Sequence, residues 1–351
     1  MKALFIGLGG IGQRHLRNLR ALRGADVEVL AWRTRRLSRV ITAQLQVEQG
    51  AEVEARYGVK AFATLEEALD QEPTVAFICN PSSLHVAPAL AAARAGCHLF
   101  LEKPVSQSLE DLDALEAEVR SRDLVTLVGY QLRHHPLLLR AKTLVETGAL
   151  GRIVAVRAEV GEHLPDWHPY EDYREMYASR RELGGGVVLS QIHELDYLYW
   201  LFGLPERVFA VGGHLSSLEI DVEDVASMMF EYAGPQGRFP VHVHADYLQR
   251  PPRRTCLVVG DRGKLEIDLR ALTLRHYEES GRLAEELTLE GFDRNQLFMD
   301  QLSHFLSCVD ARTRTGVDLH DGVQSLRMAL AARRSLERGE LVSLRDVGGA
   351  E

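Results

Sequence analysis

The chain reads as an α/β protein. Its first third builds a parallel sheet covered on both faces, and its remainder builds an antiparallel or mixed sheet. Three observations predict this. Apolar strand-like runs alternate with helical patterns as far as residue 125, a glycine-rich turn joins the first strand to the first helix, and from residue 207 strands follow one another without helices between them. Continuous apolar strands separated by helices are the pattern of a parallel sheet buried on both sides, because each crossover lays a helix on a face.

The first-third strands are Ala3–Ile6, Val27–Trp32, Val75–Cys79, His98–Leu101 and Leu124–Val128. Between them, Gly12–Arg23 repeats leucine every third residue, and Thr64-Leu65-Glu66-Glu67 forms a capping box. His85–Ala95 ends at Gly96, a residue suited to closing a helix, and Ser108-Leu109-Glu110-Asp111 reads as another helix start. The pattern changes near residue 130. Pro136 opens a helix to Thr147, and a strand follows at Arg152–Val160. Next come a polar, aromatic stretch, Glu162–Arg181, and a helix over Gly186–Leu201. The later strands are Arg207–His214, Val222–Tyr232, Phe239–Tyr247, Thr255–Gly260, Lys264–Leu269 and Leu272–Tyr277, and helices at Arg294–Asp310 and His320–Glu337 close the chain. The change of pattern divides the chain into two expected domains, 1–125 and 126–351.

Composition narrows the function without choosing it. With 351 residues, 46% hydrophobic, the chain has apolar material for two cores, and its net charge of −9 argues against nucleic acid as a partner. No apolar run approaches the ~18 residues of a membrane helix. The apolar start is broken by glycines and followed by Arg14, unlike a signal peptide. Cys79, Cys97, Cys256 and Cys308 lack paired spacing, so a disulfide framework is not expected and a reducing cytoplasm is.

Gly7-Leu8-Gly9-Gly10-Ile11-Gly12 matches G-x-G-x-x-G between a strand and a helix, the context of dinucleotide binding. Gly7 permits the tight turn, Gly9 lets backbone approach a pyrophosphate, and Gly12 lets helix and strand pack closely; Gly10 and Ile11 belong to the same loop. The second strand usually ends in an acid that bonds the ribose 2′-hydroxyl of NAD. Here it ends in Arg33-Thr34-Arg35-Arg36, which suits a 2′-phosphate and favours NADP over NAD. Two further groups, Cys79-Asn80-Pro81 with His85 and Glu102-Lys103-Pro104, stand at the carboxyl ends of parallel strands, the edge where ligands of such sheets bind.

On these motifs the chain resembles the Gfo/Idh/MocA family, the glucose–fructose oxidoreductase and inositol dehydrogenase group. Gln13-Arg14-His15, Gly129-Tyr130-Gln131, Gly184-Gly185-Gly186 and His193-Glu194-Leu195-Asp196 extend the match over nearly the whole chain. The resemblance implies an N-terminal Rossmann domain and a C-terminal α/β domain on a large open, mostly antiparallel sheet. It implies NAD(P)-linked hydride transfer on a sugar, cyclitol or related secondary alcohol or ketone. Lys103 then sits beside the nicotinamide and the reacting oxygen, His193 moves the proton, Gln131 lies near the nicotinamide, and the Lys103–Pro104 peptide is cis. Histidine is the usual proton carrier near neutral pH. The family's usual acid one turn before the histidine is absent. Leu189 and Ser190 stand there, with Ser190 expected to bond His193 or substrate, and Asp196 is expected to be structural.

Arg133, Tyr173 and Arg174 are the other expected substrate contacts, since arginine and aromatic side chains suit sugar hydroxyls or an anion. His134 and His135 read as helix-entry residues. His242-Val243-His244-Ala245-Asp246 could hold zinc, but reads better as a polar sheet face, so no metal is expected. The open sheet is expected to pair copies of the chain as a homodimer or homotetramer. Two other functions keep the same fold: glycoside cleavage by NAD-dependent oxidation and elimination, and non-catalytic cofactor sensing.

Overall fold

The computed structural model describes residues 1–33, 39–234 and 237–348. The N-terminal part runs β1 (Lys2–Ile6), α1 (Gly10–Arg23), β2 (Glu28–Trp32), β3 (Arg39–Ile41), β4 (Val47–Glu52), α2 (Val53–Tyr57), β5 (Val59–Phe62), α3 (Leu65–Leu69), β6 (Val75–Ile78), α4 (Val86–Arg94), β7 (His98–Leu101), α5 (Leu112–Ser121) and β8 (Thr126–Val128). Six strands pair in the order β5-β2-β1-β6-β7-β8, all parallel. The chain turns outward from β1 in both directions, so a crevice opens at the carboxyl ends of β1 and β6. Every residue of β6 and β7 is buried. Phe5, Phe77 and Phe100 stack across neighbouring strands at 4.5 and 5.3 Å between ring centres.

The C-terminal part runs α6 (Pro136–Glu146), β9 (Ile153–Gly161), α7 (Val187–Ser190), α8 (His193–Phe202), β10 (Arg207–Gly213), β11 (Val225–Gly234), β12 (Gly237–Asp246), β13 (Arg253–Gly260), β14 (Gly263–Asp268), β15 (Thr273–Glu278), β16 (Leu283–Thr288), α9 (Arg294–Ala311), α10 (Leu319–Arg338) and β17 (Val342–Ser343). Nine strands pair in the order β16-β15-β14-β13-β9-β12-β11-β10-β17, antiparallel except for β9 with β12. One face is buried by α8 and α10. On the other, Phe209, Val211 and Met229 are exposed. The two parts share one seam. Phe305 of α9 meets Phe100 of the parallel sheet edge-on at 5.5 Å, and Val128 of β8 donates its amide to Val317.

Several local expectations are corrected. No helix starts at Ser108: Asp111 takes a left-handed φ of 59°, and α5 begins after it. β3, β4 and β5 were unforeseen because their short, partly exposed segments carry no continuous apolar run. β16 and β17 were missed for the same reason. The helix expected over 186–201 breaks at Gln191 and Ile192 into α7 and α8. The last parallel strand ends at Val128, where the sequence placed its end. The capping box at Thr64 and Glu67 forms as expected, and His135 caps α6 through its ring nitrogen. No helix among the described residues is long and apolar enough to cross a membrane.

Candidate active site

The glycine loop opens the site. Gly7 has a φ of 93°, and a Cβ there would lie 2.8 Å from the Asn80 amide nitrogen. A Cβ on Gly12 would lie 2.3 Å from the Gly7 carbonyl oxygen, so only glycine lets α1 sit so close to the turn. Gly9 faces open space, with nothing within 4 Å of where a Cβ would be. Exposed backbone at the start of a helix is what a pyrophosphate needs, so the loop fits a dinucleotide cofactor. Gly10 is covered by Tyr170, whose hydroxyl would be 2.5 Å from a Cβ.

The next two strand ends bring in fixed polar groups. Asn80 donates its side-chain amide to the Leu84 carbonyl at 2.7 Å, and its own carbonyl lies 2.7 Å from His85 Nε2. Cys79 is buried, and that burial pushes its thiol well up, so it is not a nucleophile. Glu102 Oε1 lies 2.7 Å from His15 Nε2, and its other oxygen accepts the Lys103 amide at 3.1 Å. Burial acts to raise the Glu102 carboxyl, but the His15 bond and the charges of His15 and Lys103 hold it below its ordinary range. The Lys103–Pro104 peptide is cis, as the resemblance implied.

Lys103 then reaches across the seam. Its Nζ donates to the Ser190 carbonyl at 2.8 Å, where α7 ends and the helical ladder is interrupted. His193, the first residue of α8, is 5% exposed. Its Nε2 lies 3.4 Å from Gln131 Nε2, its Nδ1 has no hydrogen-bond partner, and the Tyr130 ring meets it edge-on. Burial, then the positive charges of Lys103, Arg254 and Arg294, hold the imidazole well below its ordinary pKa. It is therefore neutral and able to accept a proton.

Lys103, His193, Gln131, Ser190 and the glycine loop line one cleft of about 620 Å³, together with Arg33, Cys79, Asn80, Pro81, His85 and Glu102. Gly12 packs behind the loop instead. Arg33 reaches the cleft while pairing with Glu54. Thr34, Arg35 and Arg36 lie outside the described residues.

Three expected substrate residues are not brought to this cleft. Arg133 is buried and makes two bonds to Asp196, at 2.8 and 3.0 Å, and a third to the Gly316 carbonyl at 3.3 Å. Both members of that ion pair are desolvated, which makes it a structural tie between the interdomain link and α8. Arg174 is exposed and pairs with Asp172 and Glu219. Tyr173 accepts the Glu219 amide at its hydroxyl. Of the polar aromatic stretch, Trp167, His168, Tyr170 and Tyr177 line the cleft, together with His163, Met176 and the acids Glu162, Asp166, Glu171 and Glu175. His242 bonds Ser227, and His244 pairs with Asp246. No metal-binding group of three side chains occurs among the described residues.

The sequence reading missed Arg14, Arg254, Arg270 and Arg294, which also line the cleft. Arg254 is the most constrained. It donates to both Glu194 oxygens, at 2.8 and 3.1 Å, and to Gln191 at 3.1 Å. A usable signal lay in Arg254 itself, a charged side chain on the inward-facing register of an alternating strand, since burial pattern and polarity conflict there.

Two family models match this chain: an oxidoreductase family with an NAD-binding Rossmann fold over residues 1–130, and a Gfo/Idh/MocA C-terminal domain over residues 138–266. The chain belongs to the Gfo/Idh/MocA oxidoreductases. It is similar to a myo-inositol 2-dehydrogenase of Thermotoga maritima, 26% identical over 99% of this chain and 100% of that protein. It is also similar to a levoglucosan dehydrogenase of Pseudarthrobacter phenanthrenivorans, 28% identical over 65% of this chain and 63% of that one. A solved levoglucosan dehydrogenase, in complex with NADH and levoglucosan, shares the fold at a TM-score of 0.82 and 20% identity, covering 98% of this chain and 99% of its own. The chain is thus an NAD(P)-linked dehydrogenase or reductase by family.

Proposed function

We propose that this oxidoreductase uses NADP to interconvert a secondary alcohol and a ketone on a sugar, cyclitol or related polyol. The observation that carries this reading is the meeting of Lys103 and neutral, buried His193 across the seam, in the cleft that the glycine loop opens. The loop backbone at Gly9, with Asn80, Pro81 and His85, would hold the cofactor. The cofactor's nicotinamide, when bound, supplies the hydride acceptor or donor.

The chain's own residues do the rest. His193 takes the hydroxyl proton during oxidation and returns it during reduction. Lys103 donates to the same oxygen and stabilises the negative charge that gathers on it. The Ser190 carbonyl and the Glu102 side chain fix the lysine at its two ends, so its head needs little reorganisation. Gln131 orients the imidazole. The inositol and levoglucosan dehydrogenases among the relatives support a polyol as substrate.

NADP is favoured because Arg33 stands where an acid would select the ribose hydroxyl; on binding, it exchanges Glu54 for the 2′-phosphate. The four cysteines are buried and unpaired, which supports a cytoplasmic setting. The exposed apolar side chains Phe209, Val211 and Met229 on the open sheet support a homodimer or homotetramer.

Lys103→Met and His193→Ala should each lower kcat by about 10²–10⁴-fold, with cofactor affinity measured by NADPH fluorescence nearly unchanged. Normal turnover in both variants would remove the assignment. Arg33→Asp should weaken NADPH about 10–100-fold, the worth of a charge-assisted bond, and NADH far less; equal losses contradict the NADP preference. Light scattering at micromolar protein should give the mass of two or four chains, and a monomer mass would contradict the oligomer.

A further inference from the structure

Between β2 and β5 the chain makes a hairpin that neither large sheet uses. Its strands, β3 and β4, form a two-stranded sheet of their own. An isolated hairpin of two strands is marginal in water, so this one depends on what it docks against. It docks on α1. The buried Gln13 side chain accepts the Ile41 amide at 2.7 Å and donates to the Arg39 carbonyl at 2.8 Å, and Arg17 donates to the Ile41 carbonyl at 2.7 Å. Arg39 in turn donates to the Tyr170 carbonyl at 3.2 Å, which ties the hairpin to the domain opposite.

So held, the hairpin lines the cleft with Arg39, Ile41 and Leu45. Ile41 is buried. Leu45 stands in the turn between the two strands with a left-handed φ of 60°. Such turn positions favour glycine or asparagine, and a leucine there is strained. The strain places an apolar side chain in the cleft at a turn where polar residues are the rule. Arg33 pairs with Glu54 of α2, the helix that continues β4, so Arg33 and the hairpin share one end of the cleft.

That end is remote from the reaction. The order β2-β1-β6-β7 sets β2 three strand spacings from β7, after which Lys103 follows, roughly 14 Å at about 4.8 Å each. A dinucleotide whose pyrophosphate lies on the glycine loop and whose nicotinamide lies at Lys103 brings its adenosine to the β2 end. Adenine is a flat ring, and apolar side chains suit its faces.

We propose that the β3–β4 hairpin is an adenine clamp, in which Leu45 and Ile41 cover the adenine ring and Gln13 holds the hairpin in position. The proposal rests on the cofactor reading for its ligand and on the hairpin alone for its residues.

The test titrates the full-length protein, by calorimetry, with NADPH, NADH, ADP as the adenosine end alone, and reduced nicotinamide mononucleotide as the other end alone. The unaltered protein should bind ADP. Leu45→Asn keeps the left-handed turn and removes the apolar contact. It should weaken NADPH, NADH and ADP together by about 5–50-fold, part of the worth of burying a leucine side chain, and leave the mononucleotide unchanged. Leu45→Gly, which also takes that φ freely, should give the same loss, and Leu45→Met should recover most of it. In turnover, the KM for NADPH should rise more than kcat falls. Unchanged ADP binding in the Asn and Gly variants overturns the clamp. So does a loss confined to NADPH, which would assign the turn to the 2′-phosphate, or a loss that falls equally on the mononucleotide. Mononucleotide binding without ADP binding in the unaltered protein also overturns the clamp and leaves the oxidoreductase reading standing. ADP binding weakened in Leu45→Asn, with no polyol turned over by the unaltered protein, upholds the clamp and counts against that reading instead.

Discussion

One hydrogen bond ties the lysine of this candidate active site to the domain opposite. Lys103 belongs to the edge of the parallel sheet, and its ammonium donates to the Ser190 carbonyl at the break between two helices of the other domain. Three residues on, His193 opens the second helix. A continuous helix would have directed the Ser190 carbonyl along its own axis, toward the amide four residues later. The break therefore does two things at once: it frees an acceptor for the lysine, and it starts a new helix with the histidine in the cleft. Glu102 steadies the other end of the lysine through its backbone amide, and His15 steadies Glu102. The chain from α1 to α8 is thus linked by polar contacts that are almost all buried, and such networks hold their geometry only when their members are satisfied.

Charge around the reaction is managed by pairing. Arg133 with Asp196 and Arg254 with Glu194 are buried, two-pronged pairs that flank His193 on either side. Removing one partner of such a pair typically costs about 3–5 kcal/mol, because the other charge is stranded. These pairs fix α8 against the interdomain link and against β13. Burial, followed by the charges of Lys103, Arg254 and Arg294, holds the histidine well below its ordinary pKa. The same charges that shape the fold therefore contribute to the protonation state that the chemistry requires.

Much of this was legible in the sequence wherever function depends on local pattern. The glycine loop, Glu102-Lys103-Pro104 and His193 are each placed by a motif at a strand end or helix start, and strand ends in a parallel sheet share one edge. The parallel strands were legible because their apolar runs are continuous. β5 was not, since Val59-Lys60-Ala61-Phe62 is short and half exposed at the sheet edge. Arg133 was read as a substrate contact because its partner Asp196 is 63 residues away, and no spacing rule links them. Arg254, Arg270 and Arg294 were missed for the converse reason: they come from one strand, a turn and a helix that meet only in the folded molecule. Arg174 was favoured by its aromatic neighbours, yet Asp172, two residues before it, claims its charge.

The central claim is that burial and neighbouring cations hold His193 neutral as the proton acceptor. It is tested most directly by following the ring-nitrogen resonances of isotopically labelled histidine as pH is lowered, with His193 assigned by its loss in His193→Ala. The account predicts that His193 stays neutral as pH falls through about 6.5, the ordinary imidazole value. A His193 that titrates at or above that value would contradict it.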